Sequence, residues 1–184
     1  MARRMVIAYW LIPAEPTRTF FRGLINDLAR RHNASAFEPH LTVHVQTDHE
    51  DIAESVISKA AGSCNAIKLK TLAIGESSEF IKTLFVNFAF NAELRRLSET
   101  IRNAAEDSSC YKLKPHLSLL YKKMPTAARR ELASSIKVPF SEIIFESLKA
   151  VRCVSPTQSS ADVEAWRIVA AKAFGPIRFD AGRH

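Results

Sequence analysis

The chain has 184 residues, of which 47% are hydrophobic and 24% are charged, a composition typical of a soluble globular protein. Its formal net charge of +7 favours anionic partners such as phosphate groups. No apolar run has the length of a membrane span, and the scattered cysteines Cys64, Cys110 and Cys153 argue against a disulfide framework. We therefore expect a cytoplasmic monomer with reduced thiols, in which residues 1–184 form a single domain of two lobes.

The first half of the chain alternates strand and helix patterns. β-Branched and aromatic residues predict a strand over Val6–Ile12, which Pro13 ends. Thr17 is placed as the N-cap of a helix whose apolar residues recur at helical spacing. The next elements are a strand over His40–Val45, a helix capped by Asp48, and strands over Ile67–Ile74 and Thr83–Phe90.

The second half continues this alternation. Asn91 is a suitable N-cap for a third helix, with Leu94, Leu97 and Ile101 along one face. The remaining elements are a strand over His116–Tyr121, a short helix after Pro125, and strands over Ile143–Val154 and Val163–Ala171. This order of elements predicts an α+β fold in which the strands are mostly antiparallel.

One short pattern occurs twice, over residues 37–43 and 113–119. Both copies read apolar, charged, Pro, His, Leu, hydroxyl, apolar. Side chains at positions i and i+2 of a strand share a face, so His40 converges with Thr42, and His116 with Ser118. The duplication suggests two lobes related by a pseudo-twofold axis, each offering one histidine and one hydroxyl to a shared cleft.

Two imidazoles and two hydroxyls around one anion suit the hydrolysis of a strained cyclic phosphodiester. The hydroxyls donate to the non-bridging phosphate oxygens. Imidazole titrates near neutral pH, so one histidine can accept a proton from water while the other donates one to the leaving ribose oxygen. This chemistry needs neither a metal nor another cofactor.

The paired His-x-Thr and His-x-Ser motifs resemble the 2H phosphoesterase superfamily. The longer runs Phe-x-Pro-His-Leu-Thr-Val and Pro-His-Leu-Ser-Leu-Leu-Tyr, with a first strand ending in Trp-x-x-Pro, look like its cyclic phosphodiesterase branch. The resemblance implies a bilobal fold, with two mostly antiparallel sheets and outer helices around a central cleft. It also implies hydrolysis of ADP-ribose 1″,2″-cyclic phosphate and nucleoside 2′,3′-cyclic phosphates.

The same resemblance assigns roles to individual residues. The residues alone leave open which histidine is the base and which the acid, and the resemblance favours His116 as the base and His40 as the acid. It also places Trp10 in the cleft and brings Tyr121 to the phosphate. Strict strand alternation puts Tyr121 on the face opposite Ser118, so Tyr121 reaches the cleft only if the strand bends or ends there.

Phe85 and His44 are open to more than one interpretation. Phe85 lies on the face opposite the apolar positions of its strand, where it would stack on a nucleobase or pack under a helix. His44 shares a face with His40 on an ideal strand, but the two are about 13 Å apart, too far to share a metal ion. We expect His44 at the cleft rim or in solvent.

Two other functions compete with this hypothesis. RNA 2′,5′ ligation or trimming of RNA 3′ ends occurs in the same superfamily and would need a longer basic groove for RNA ends. A nucleotide-binding module without catalysis would bind 2′-phosphates and turn nothing over. We expect a small nucleotide or ADP-ribose cyclic phosphate as the partner, and no membrane.

Overall fold

A computed structural model describes residues 3–107 and 111–175. Within these ranges the strands are β1 (Arg4–Pro13), β2 (Leu41–Thr47), β3 (Ile67–Glu76), β4 (Leu84–Phe88), β5 (His116–Leu120), β6 (Glu142–Ser155) and β7 (Arg167–Ala173). The helices are α1 (Thr17–His32), α2 (Glu50–Gly62), α3 (Ala92–Ala104), α4 (Thr126–Ser135) and α5 (Ser160–Glu164), with a 3₁₀ turn over Phe80–Lys82. Cys64 and Cys153 are free thiols, and Cys110 lies outside the described residues.

The strands pair antiparallel in the order β1-β2-β5-β4-β3-β6-β7. Strand β6 has 14 residues and pairs with β1 over Phe145–Ser155 and with β3 over Glu142–Phe145. The β1–β6 pairing closes six of these strands into a circuit, with β7 at the edge. The α+β class with antiparallel strands is confirmed, and the two expected sheets are joined into one through β6 and the β2–β5 contact.

The two faces of β1 belong to different parts of the interior. Ile7, Tyr9 and Leu11 enter the main core, where α1 and α3 bury the apolar stripes that their 3.6-residue period predicts. Ala8 and Trp10, on the other face, belong to a second and smaller apolar cluster. Period-2 alternation therefore separates the core side of this strand from the side that faces the functional site. No helix in the described ranges has the length and hydrophobicity needed to cross a bilayer.

The three expected helix caps had different outcomes. The Asn91 side chain accepts a hydrogen bond from the Leu94 N–H at 2.8 Å, as predicted. The Thr17 cap is wrong, because Thr17 is already helical and its hydroxyl donates to the Ala14 carbonyl at 2.6 Å. The Asp48 cap is also wrong. Its carboxylate accepts hydrogen bonds from the guanidinium of Arg152 on β6, and no side chain caps α2.

The predicted strand over Val163–Ala171 begins too early. Helix α5 occupies the start of this segment, because Ser159 and Asp162 form a reciprocal capping box around its first turn. Strand β7 begins only at Arg167. This short helix places the following side chain, Trp166, over the site described next.

Candidate active site

The two copies of the repeated motif meet where β2 pairs with β5. Leu41 lies opposite Leu117 in an antiparallel register, and both leucines are fully buried in the main core. Because successive side chains alternate between faces, the residues that flank each leucine point to the other side of the sheet. A local twofold axis passes between the two leucines, so the two motifs present equivalent positions to the same space.

The flanking residues are the two histidines and the two hydroxyl residues of the motifs. Continued from Leu41 and Leu117, the antiparallel register sets His40 towards Ser118 and Thr42 towards His116. All four residues line one cleft with a volume of about 520 Å³. The structure thus brings together four residues whose motifs are far apart in the sequence.

Both histidine rings are oriented by the same backbone contact. Nδ1 lies 2.6 Å from the Glu38 carbonyl oxygen in His40, and 2.7 Å from the Lys114 carbonyl oxygen in His116. A carbonyl oxygen only accepts, so Nδ1 carries the hydrogen and the lone pair of the neutral ring is on Nε2. The intervening proline restricts the backbone of the residue that supplies this carbonyl, which explains the charged-Pro-His order of the motif.

His40 lies among aromatic rings. Its ring stacks on Trp10 with centroids 3.7 Å apart, and the edges of Trp166 and Phe37 lie at 5.9 and 6.1 Å. His40 is only 6% exposed. Burial lowers the pKa of His40 from 6.5 to about 4, against the opposing effect of the hydrogen bond to the Glu38 carbonyl, and the positive charge of Lys149 adds to the lowering. His40 is therefore neutral in the unliganded protein at pH 7.

Acid should destabilise the fold through His40. Its imidazole has a pKa near 6.5 in the unfolded chain and about 4 in the folded one, so the unfolded state binds the extra proton first. The free energy of unfolding should fall as the pH drops from above 6.5 towards 4, by up to about 3 kcal/mol from this group. Urea denaturation at pH 7 and pH 4.5 should show a smaller decrease in His40→Gln than in the wild type. The exposed control His49→Gln should keep the full decrease, and an unchanged decrease in His40→Gln would contradict the argument.

His116 has a less apolar environment. It is half-buried, with the Phe85 ring edge 5.5 Å away and the Lys82 ammonium 4.5 Å from the Phe85 ring centre. Burial, followed by the charge of Lys82, lowers the pKa of His116 below 6.5. Both histidines therefore have a neutral Nε2 in the unliganded protein at neutral pH.

The hydroxyl groups of Ser118 and Thr42 differ in their hydrogen bonds. Ser118 is 5% exposed and donates its hydrogen to the Ile81 carbonyl at 2.9 Å. The Thr42 hydroxyl makes no hydrogen bond to any residue that the structure describes. An anion in the cleft would have to attract the Ser118 hydrogen away from the Ile81 carbonyl, whereas Thr42 can donate at once.

Tyr121 reaches the cleft because β5 ends at Leu120, so alternation no longer constrains the next side chain. Its ring stacks on Phe37 with centroids 3.8 Å apart. Burial raises the pKa of Tyr121 above its usual value, so the phenol remains a neutral hydrogen-bond donor.

Trp166 is a cleft residue that the sequence analysis missed. Its indole makes edge contacts with Trp10 at 5.1 Å, His40 at 5.9 Å and Tyr121 at 5.8 Å. The segment was expected to be a strand, and the capping-box sequence before it was the signal that could have revealed a helix followed by a tryptophan.

Phe85 is not among the described residues that line the cleft. Its ring lies against Gly75, where a Cβ atom would approach the ring to 2.4 Å, and its edge contacts His116. The ring packs between Gly75 and the histidine, with the Lys82 ammonium over its face.

The expectation for His44 is wrong. His44 is 2% exposed, and its Nε2 lies 2.8 Å from a carboxylate oxygen of Asp107. The cause is a register shift in the β1–β2 ladder, in which Trp10 pairs with Thr42 but the preceding Tyr9 pairs with His44. This bulge changes which residues share a face, so His44 turns away from the cleft. No group of three or more His, Cys, Asp or Glu is arranged to hold a metal ion in the described ranges.

Comparison with known proteins identifies the family. The sequence profile of the cyclic phosphodiesterase-like protein family matches residues 5–174. The chain belongs to this family. It is accordingly an enzyme, a phosphoric diester hydrolase of the 2H phosphoesterase superfamily.

Relatives of this cyclic phosphodiesterase-like protein extend over nearly its whole length. A cyclic phosphodiesterase of Arabidopsis thaliana is 24% identical over 181 residues, which cover 95% of this chain and 98% of that protein. The crystal structure of E. coli LigT complexed with 3′-AMP has a TM-score of 0.57 at 12% identity, covering 95% of this chain and 99% of LigT. TT0787 of Thermus thermophilus has a TM-score of 0.60 at 14% identity, covering 94% and 100%. The two solved structures establish a shared fold.

Proposed function

We propose that this protein hydrolyses small ribose cyclic phosphates to monoesters, with His40 and His116 as its acid–base pair and no metal. One observation carries the proposal. The antiparallel register of β2 and β5 sets both histidines and both motif hydroxyls around one cleft, with Nε2 as the acceptor of each ring. Membership of the cyclic phosphodiesterase-like family supports this interpretation.

The proposed reaction is a hydrolysis with two coupled proton transfers. The neutral histidine takes a proton from water while the water oxygen forms a bond to phosphorus. The bond between phosphorus and one ribose oxygen breaks, and the protonated histidine gives its proton to that oxygen. The products are a phosphomonoester and one new ribose hydroxyl, and proton exchange with solvent resets the pair.

Because both histidines are neutral in the unliganded protein, one of them must gain a proton together with the substrate. The negative charge of the bound phosphodiester raises the pKa of an adjacent imidazole. We assign the acid role to His40 and the base role to His116. The stacking of His40 on Trp10 at 3.7 Å gives an imidazolium one stabilising contact. Burial opposes the charge on His40, so the bound phosphate must supply most of the stabilisation of the protonated ring.

The remaining cleft residues are proposed to bind the substrate. Thr42 and Ser118 donate to the non-bridging phosphate oxygens, and Tyr121 supplies a neutral donor beside Ser118. Trp10 and Trp166 form the wall behind His40. A cleft of about 520 Å³ suits a nucleotide-sized ligand, and LigT, a protein with this fold, has been crystallised with 3′-AMP. We propose nucleoside 2′,3′-cyclic phosphates and ADP-ribose 1″,2″-cyclic phosphate as substrates.

The test is turnover of 2′,3′-cyclic AMP and of ADP-ribose 1″,2″-cyclic phosphate by the purified chain in EDTA, followed by phosphorus NMR. We expect turnover to be insensitive to EDTA, and the product monoester to identify the leaving oxygen. Activity lost in EDTA and restored by a divalent cation would overturn the metal-independent mechanism. Inertness towards both substrates, with activity on RNA ends that declines with salt, would replace the proposed substrate by RNA.

A further inference from the structure

The short 3₁₀ turn before β4 ends at Lys82, on the same side of the cleft as His116. Its backbone is fixed by two side chains. The Ser77 hydroxyl donates a hydrogen bond to the Lys82 carbonyl at 2.7 Å, and the Ser118 hydroxyl donates to the carbonyl of the preceding residue, Ile81, at 2.9 Å. The turn therefore holds Lys82 at a defined place beside the cleft-facing residues of β5.

The Lys82 side chain is half-buried and lies on the aromatic ring of Phe85. Its ammonium is 4.5 Å from the centre of this ring, an arrangement in which the aromatic face attracts the cation. The same ring makes an edge contact with His116, and their ring centres are 5.5 Å apart. The ammonium therefore lies within about 10 Å of the imidazole, with Phe85 between them.

The lysines near the two histidines differ in their partners. Lys149, whose charge acts on His40, forms an ion pair with Glu38 at 2.6 Å. Lys82 forms no ion pair with any residue in the ranges that the structure describes, and it is not among the described residues that line the cleft. An unpaired positive charge therefore lies near His116, outside the space that a ligand occupies.

The groups around His116 act on its protonation in opposite directions. Burial lowers the pKa of His116 most, and the hydrogen bond to the Lys114 carbonyl opposes this effect. The charge of Lys82 lowers the pKa further, and the carboxylate of Glu79 raises it by a smaller amount. The net effect of these two charges is to disfavour a positive charge on the ring.

We propose that Lys82, held on the Phe85 ring, is a positioning residue that keeps His116 unprotonated and so available as the base. This inference rests on the proposed function, in which His116 accepts a proton from water. Lys82 touches no reacting atom in this role and acts through His116 alone. A half-buried charge about 10 Å away, partly screened by solvent, shifts a pKa by about half a pH unit. Below its pKa, His116 would then be neutral about three times less often without Lys82.

The direct test is an NMR titration of the His116 ring nitrogens in the unliganded protein, with His116→Gln to assign the signals. Lys82→Gln should raise the pKa of His116 by about half a pH unit. Lys82→Arg keeps the charge and should restore the wild-type value, as should the control Lys59→Gln, which removes an exposed lysine from α2. An unchanged pKa of His116 in Lys82→Gln would overturn the proposal. Because no substrate is present, a shifted pKa in a protein that turns over no cyclic phosphate would support the coupling and count against the proposed function.

A kinetic test separates an effect through His116 from direct contact with the substrate. At pH 5, where His116 is partly protonated, Lys82→Gln should lower kcat/KM for 2′,3′-cyclic AMP by about threefold. At pH 8 His116 is neutral with or without Lys82, so the change should be less than about 1.5-fold. Lys82→Arg should match the wild type at both pH values. An equal loss at pH 5 and pH 8 would place Lys82 at the substrate and overturn the positioning role, as would the absence of any loss at pH 5.

Discussion

Replacing His40 or His116 by alanine should lower kcat/KM for the cyclic phosphate by about 10²–10⁴-fold, the usual contribution of a positioned acid or base. Each ring is fixed by a carbonyl that takes its Nδ1 hydrogen, and alanine removes the Nε2 that would move the proton. Because the two histidines act as a pair, their losses should not multiply. The double variant should lose much less kcat/KM than the product of the two single losses. Steady-state kinetics with 2′,3′-cyclic AMP measures the loss.

The exposed His49→Ala is the control and should retain wild-type activity. A phosphodiester with a p-nitrophenyl leaving group separates the two roles, since p-nitrophenolate departs without protonation. His40→Ala should recover most of its loss with this substrate, whereas His116→Ala should not. The opposite pattern would exchange the roles, and full activity in either alanine variant on 2′,3′-cyclic AMP would contradict the paired mechanism.

Removing either motif hydroxyl should lower kcat by about 10²-fold, as expected when one donor to a developing anionic oxygen is lost. The variants are Thr42→Val and Ser118→Ala, assayed with 2′,3′-cyclic AMP. Their effects on stability should differ, because Ser118 already donates to the Ile81 carbonyl. Ser118→Ala should therefore also lower the free energy of unfolding by about 1 kcal/mol, a cost that Thr42→Val does not share.

The conservative variant Thr42→Ser is the control for the hydroxyl prediction. It keeps the donor and removes a methyl group, so it should retain most of the wild-type kcat. If Thr42→Ser loses as much activity as Thr42→Val, the hydroxyl is not the group that matters, and the role assigned to Thr42 would have to be abandoned.

The part of the site that follows from local periodicity could be predicted from the sequence. The i, i+2 spacing of a strand predicts that His40 shares a face with Thr42, and that His116 shares one with Ser118. Only the three-dimensional register of β2 and β5, with Leu41 opposite Leu117, shows that these two faces are the same one.

The features that the sequence analysis missed depend on long-range or irregular geometry. The bulge that turns His44 into the interior has no local sequence signal. The contact of Phe85 with Gly75 joins two strands whose pairing was unknown. Asp48 was expected to cap a helix, but its carboxylate accepts hydrogen bonds from the guanidinium of Arg152 on β6. Such charge-assisted hydrogen bonds are stronger than one from a neutral backbone N–H.

The local twofold axis between Leu41 and Leu117 relates the two histidines, but it does not relate their surroundings. One ring lies against Trp10 and Trp166, whereas the other lies near Phe85 and a lysine. A strictly symmetric pair could not distinguish the two ribose oxygens of a cyclic phosphate, and it would release a mixture of regioisomers. The different surroundings of the two histidines favour one of the two orientations for a ligand whose ends differ. On the proposed mechanism, two equivalent histidines within unequal surroundings would make the enzyme release one monoester rather than a mixture.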